Sequence, residues 1–79
     1  MSRIVVVGAG IMGSRICRHF LIAGYSVALV DPSPQARSAA APYFEGGIAK
    51  PLFVATLQDL DEEWRAAEIV IEAVPEVLS

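Results

Sequence analysis

Apolar residues along this chain fall into short blocks, and the spacing inside each block differs from the next. Residues 3–7, "RIVVV", are almost continuously apolar and meet a glycine at once, which fits a strand buried on both faces. Over residues 11–23 the period lengthens. Met12, Ile16, Phe20 and Gly13, Cys17, Leu21 form adjacent i, i+4 rows, with Arg15, Arg18, His19 and Ile22 on the opposite side, so the pattern predicts an amphipathic helix. Gly24 stands where a C-terminal cap is wanted. "YSVALVD", residues 25–31, reads as a second strand. Strand, glycine turn, helix and strand together take about 30 residues, the size of a βαβ unit.

The alternation continues downstream. Ser33 can cap a helix whose first position is Pro34. Ala36, Ala40 and Phe44 share one face of it, and Pro42 should end or kink it. "EGGIAKP" is a loop, and "LFVAT", residues 52–56, is a short strand. Asp59 with Glu62 predicts a capping box, followed by a short helix with Leu60, Trp64 and Ala67 on one face. "EIVIEAV", residues 68–74, is a fourth strand stopped by Pro75. Four such alternations predict an α/β fold, a Rossmann-type doubly wound parallel sheet in the order 3-2-1-4. A complete sheet of this kind has more strands, so residues 1–79 are expected to be the N-terminal part of a larger nucleotide-binding domain.

The three glycines between the first strand and helix give this frame its chemistry. Gly8, Gly10 and Gly13 form G-x-G-x-x-G, with Ala9, Ile11 and Met12 between them. Alone the pattern is weak; between a strand and a helix it is strong. Gly8 lets the chain turn sharply, Gly10 lets backbone approach a pyrophosphate, and Gly13 lets the helix pack close to the strand. The helix start then offers N–H groups and a positive dipole end to phosphate. Asp31 ends the second strand about 20 residues beyond the glycines, where a carboxylate accepts both adenosine ribose hydroxyls. It would repel a 2′-phosphate, and Pro32 and Ser33 supply no arginine for one, so NAD(H) is favoured over NADP(H). Arg37 is expected to be solvated. The competing readings are a ligand-free tight turn for the glycines and a turn or cap residue for Asp31.

Composition narrows the remaining choices. No apolar run reaches the roughly 18 residues of a membrane span, and the N-terminus lacks a cleavage-site pattern, so a cytoplasmic protein with no membrane partner is expected. The net charge of -3 and the absence of a basic cluster argue against nucleic acid. One cysteine excludes an internal disulfide and argues against a cysteine-based metal site. Hydrophobic residues make up 54% of the chain, as a doubly buried sheet demands. Cys17 is read as inert packing, His19 as a surface residue, and Phe53 and Trp64 as core or cover.

"VVVGAGIMGSRICRHFLIAGYSVALVDPSPQA" and "AEIVIEAVPE" resemble the corresponding segments of the L-3-hydroxyacyl-CoA dehydrogenase family. The first is shared with many NAD enzymes; "IEAVPE" is the more discriminating. The resemblance implies the cofactor half of an oxidoreductase of fatty acid metabolism, which moves hydride between NAD and a 3-hydroxyacyl-CoA or a similar small-molecule 3-hydroxy acid, as a homodimer. It places Ala73, Val74 and Glu76 beside the cofactor, at the switch point between strands one and four, with Glu76 toward the nicotinamide half; an exposed loop carboxylate is the other reading of Glu76. Glu72 is read as structural. The family's catalytic His and Glu lie beyond strand five, so these 79 residues alone are expected to be inactive. The insert between strands two and three is short and offers little beyond Arg37 and Lys50 for CoA. A non-catalytic NAD(H) sensor, a related β-hydroxyacid dehydrogenase and a self-associating fragment are the alternatives.

Overall fold

The structure, a computed structural model, describes residues 3–67 and 69–73. Strands β1 (Arg3–Val7), β2 (Ser26–Val30), β3 (Leu52–Val54) and β4 (Ile69–Glu72) form one sheet in the order β3-β2-β1-β4. Every pairing is parallel: Ile4 lies opposite Val27 on one side and Ile69 on the other, and Ala28 lies opposite Leu52. This is the Rossmann-type α/β order expected from the alternation of elements.

Period-two alternation explains why β1 is apolar throughout. Ile4 and Val6 face helix α1 (Ile11–Ile22), in a core shared with Cys17, Leu21, Val27, Leu29 and Phe44. Val5 points to the opposite face, where Ala28, Val30 and Leu60 are buried and Trp64 and Ala67 pack against them. The sheet is thus covered on both sides, more deeply on the α1 side. Phe44 is the largest fully buried side chain and meets Phe53 edge-on, with ring centroids 5.8 Å apart.

The end of α1 obeys the predicted cap. Gly24 has φ +97 and donates to the Leu21 carbonyl, and the Tyr25 N–H reaches the Phe20 carbonyl. These are the two bonds of a Schellman motif. The Phe20 and Tyr25 rings close it edge-on at 5.4 Å. Helix α2 (Pro34–Ala40) starts with the Ser33 hydroxyl accepting from the Ala36 N–H at 3.2 Å. Pro42 does not stop the coil outright; it lies in a 3-10 turn, Ala41–Phe44, that extends α2.

Two expectations need correction. Met12 is 67% exposed, not part of the buried stripe, because the first turn of α1 overhangs the end of the sheet. Asp59 does not begin the last helix. It closes a capping box with Thr56 around a 3-10 turn, Leu57–Asp59, while Asp61 caps α3 (Glu62–Arg65). Strand β3 is correspondingly shorter than residues 52–56. The Arg3–Glu63 ion pair, at 3.0 Å, joins α3 to the start of β1; both side chains are exposed, so it contributes little.

Cys17 is fully buried, and burial pushes its thiol up to about 12 from 9.0. The folded protein keeps this proton where the unfolded chain loses it, so stability falls as pH rises from about 9 toward 12 and is unaffected below. Urea unfolding across that range should show a steeper loss for the native protein than for Cys17→Ala. The folded native protein should also resist thiol alkylation at neutral pH.

Candidate functional site

The C-terminal ends of β1 and β2 open into a cavity of about 510 Å³. Val7, Gly8, Gly10, Val30, Asp31, Pro32, Ser33 and Ala36 line it. Gly8 leaves β1 with its N–H bonded to the Val30 carbonyl at 2.7 Å, then turns at φ +108. Few side chains tolerate that backbone.

The three glycines have different physical reasons to be glycine. A Cβ on Gly13 would lie 1.8 Å from the Gly8 carbonyl oxygen and 3.4 Å from the Ala73 Cβ. Only a bare Cα lets α1 approach the strand this closely. Gly10 is the opposite case. Its φ is -71, which any residue adopts, and among the described residues a Cβ there would meet nothing within 4 Å. Neither the fold nor the turn requires glycine at this position, and the space it keeps open belongs to the cavity.

Gly10 also caps α1. No side chain caps this end, and no acidic residue lies in the first turn. The N–H groups of Ile11, Met12 and Gly13 therefore lie in the turn that lacks intrahelical acceptors, on a helix long enough to carry a useful dipole. Ile11 and Met12 are largely exposed, and neither lines the cavity. Ala9 and Ala73 are buried behind the loop; the Ala73 N–H bonds the Val7 carbonyl at 2.7 Å and draws the end of β4 against it.

Asp31 is half-buried on the cavity wall. Its Oδ2 accepts the Ala9 N–H at 2.9 Å, and its Oδ1 accepts the Ser33 N–H at 2.9 Å. The carboxylate thus fastens the glycine loop to the end of β2. A carboxylate offers about four acceptor positions, so each oxygen keeps capacity for one more donor, such as a ribose hydroxyl. Arg37 is not solvated as expected. It is half-buried and its guanidinium donates to the Asp31 carbonyl, an acceptor that side-chain patterning cannot reveal.

Of the residues expected to bind the cofactor, Gly8, Gly10 and Asp31 line the cavity, while Ala9, Ile11, Met12, Gly13 and Ala73 do not. Sequence reasoning missed Ser33 and Ala36 as lining residues and Ser14 as a buried partner of the loop. Ser14 follows Gly10 by four residues and precedes Cys17 and Leu21 by three and seven, a spacing that puts it on the buried face. The expectations for Val74 and Glu76 lie outside the described residues. His19 is exposed and touches the Phe20 ring edge-on. Among the described residues no group of three or more His, Cys, Asp or Glu side chains is placed to hold a metal, and no helix is long and apolar enough to cross a membrane.

The family model described as 3-hydroxyacyl-CoA dehydrogenase, NAD binding domain, matches residues 3–79. Comparison with curated proteins and with solved structures gives no significant match.

The contrast between Gly10 and Gly13 can be measured. Gly13→Ala should destabilise the protein by several kcal/mol, because a backbone carbonyl must move out of the way. Gly10→Ala should cost no more than about 1 kcal/mol of unfolding free energy, because the N-cap preference for glycine over alanine is offset in part by the backbone freedom removed from the unfolded chain. It should nonetheless weaken NADH binding about tenfold or more. Equal NADH affinity in Gly10→Ala would show that the space is not used.

Proposed function

Because the chain belongs to the family of 3-hydroxyacyl-CoA dehydrogenase NAD-binding domains, we propose that residues 1–79 form the part of the enzyme that grips the adenosine and pyrophosphate of NAD(H). Gly8, Gly10 and Gly13, with the first turn of α1, form the pyrophosphate cradle. Asp31 takes the ribose hydroxyls. Ala73, Val74 and Glu76 lead toward the nicotinamide. When bound, NAD(H) supplies the hydride acceptor or donor for a 3-hydroxy substrate; the protein supplies orientation and electrostatics.

Gly10 carries this reading. A ligand-free turn requires glycine at Gly8 and Gly13, whereas at Gly10 the helix N-cap only prefers it and no described residue crowds the position. A pyrophosphate lying against the loop accounts for all three. Asp31 supports the choice of NAD(H). Its negative charge opposes a 2′-phosphate, and the nearest guanidinium in the sequence, Arg37, is turned onto the Asp31 carbonyl.

For the substrate, the family supports a small molecule, and we take a 3-hydroxyacyl-CoA or a related 3-hydroxy acid as its class. The insert between β2 and β3 favours the smaller acid or CoA contacts made elsewhere. Its two cations are committed to carbonyls: Arg37 to Asp31, and Lys50 to Phe44 at 2.7 Å.

Calorimetric titration tests the cofactor assignment. NADH should bind at least about tenfold more tightly than NADPH. Asp31→Asn should weaken NADH by about tenfold, the worth of hydrogen bonds to a charged acceptor, and narrow the preference over NADPH. Equal affinities for the two nucleotides in the native protein would overturn the role given to Asp31.

A further inference from the structure

We propose that Ser14 is a positioning residue for pyrophosphate binding: by holding the Ala9 carbonyl, its hydroxyl turns the Gly10 N–H toward the phosphates. The inference rests on the cradle reading of the glycine loop and assigns a task to a residue outside the glycine pattern.

Ser14 is the one fully buried polar residue among the described residues. Serine within a helix commonly returns its hydroxyl to the carbonyl four residues back. Here that carbonyl, on Gly10, already accepts the Ser14 N–H at 2.9 Å. The hydroxyl reaches one residue further, beyond the helix, and donates to the Ala9 carbonyl at 3.2 Å. The other end of Ala9 is tied as well, its N–H donating to Asp31 Oδ2 at 2.9 Å. Both polar groups of this loop residue are therefore held, one by each element that flanks the cavity.

The consequence follows from peptide geometry. The peptides here are trans, so the carbonyl of Ala9 and the N–H of Gly10 lie in one plane and point in opposite directions. With the Ala9 oxygen drawn inward to Ser14, the Gly10 N–H is turned outward, away from the buried hydroxyl, at a residue that lines the cavity. An alanine would fill the buried space of Ser14 nearly as well; what it lacks is the donor. Without that donor the Ala9–Gly10 peptide is free to rotate, and a phosphate must order it on binding.

Two ligands separate this role from general support of the fold. ADP-ribose carries the pyrophosphate; adenosine carries the adenine and its ribose without it. In Ser14→Ala, ADP-ribose affinity should fall about tenfold, the loss of one oriented hydrogen bond to a charged group, while adenosine affinity stays unchanged. Ser14→Cys, which retains a weak donor, should fall between. Unchanged ADP-ribose affinity in Ser14→Ala would overturn the proposal. So would an equal loss for both ligands accompanied by a lower melting temperature, which would mark Ser14 as packing. Failure of the cradle reading itself is distinguishable, because the native protein would then bind ADP-ribose no better than adenosine, and Ser14 would lose its role with it.

Discussion

Everything at this site depends on how close one helix comes to one strand. The clearance between Gly13 and the Gly8 carbonyl leaves no room for a methyl group. That contact sets α1 against the end of β1, which in turn aims the open first turn of the helix at the cavity. Move the helix outward by the width of a side chain and the Ala9 carbonyl is beyond the Ser14 hydroxyl. A single missing Cβ therefore governs both the packing of the core and the direction of the backbone donors.

Asp31 adds a second fastening of a different kind. Its carboxylate joins the loop after β1 to the turn after β2 by two backbone hydrogen bonds. Charged acceptors make stronger hydrogen bonds than neutral ones, and this one sits half-buried just past the C-terminal end of β2, an interior strand. On the proposed reading the residue that discriminates between cofactors also braces the glycine loop, so substitution at Asp31 changes two things at once. Arg37 completes the arrangement from behind, by holding the Asp31 carbonyl.

The fold was legible where period and punctuation agree. β1 is an unbroken apolar run ending at glycine, α1 has a clear helical stripe, and Gly24 and Ser33 mark the elements' ends in the expected ways. Agreement broke down around residues 56–62, where Thr56, Asp59 and Asp61 are all competent caps within a few positions. Local pattern cannot rank them; the burial of Leu60 between two short turns does. Met12 fits the apolar stripe but lies past the end of the sheet, so no partner covers it. Of the site, the glycines and Asp31 carry a known spacing and could be read directly. Arg37 and Ser14 could not, because each is bound to a main-chain carbonyl whose position emerges only after the elements have packed. Ser14 alone left a trace, in its shared phase with Cys17 and Leu21.

The parts of the site described here are also close together along the chain. Among the described residues, those that line the cavity all come from residues 7–36, within a single strand–helix–strand unit and the helix that follows, while the Val54 carbonyl accepts the Asp31 N–H and the Ala73 N–H donates to the Val7 carbonyl. Contacts between neighbours in sequence close small loops and form quickly, whereas distant pairings form slowly. During synthesis from the N-terminus, the glycine loop and Asp31 leave the ribosome before β4, the strand that pairs beside β1. The walls of the cavity can therefore assemble early, and on the proposed reading nucleotide can stabilise them by mass action before β4 is made.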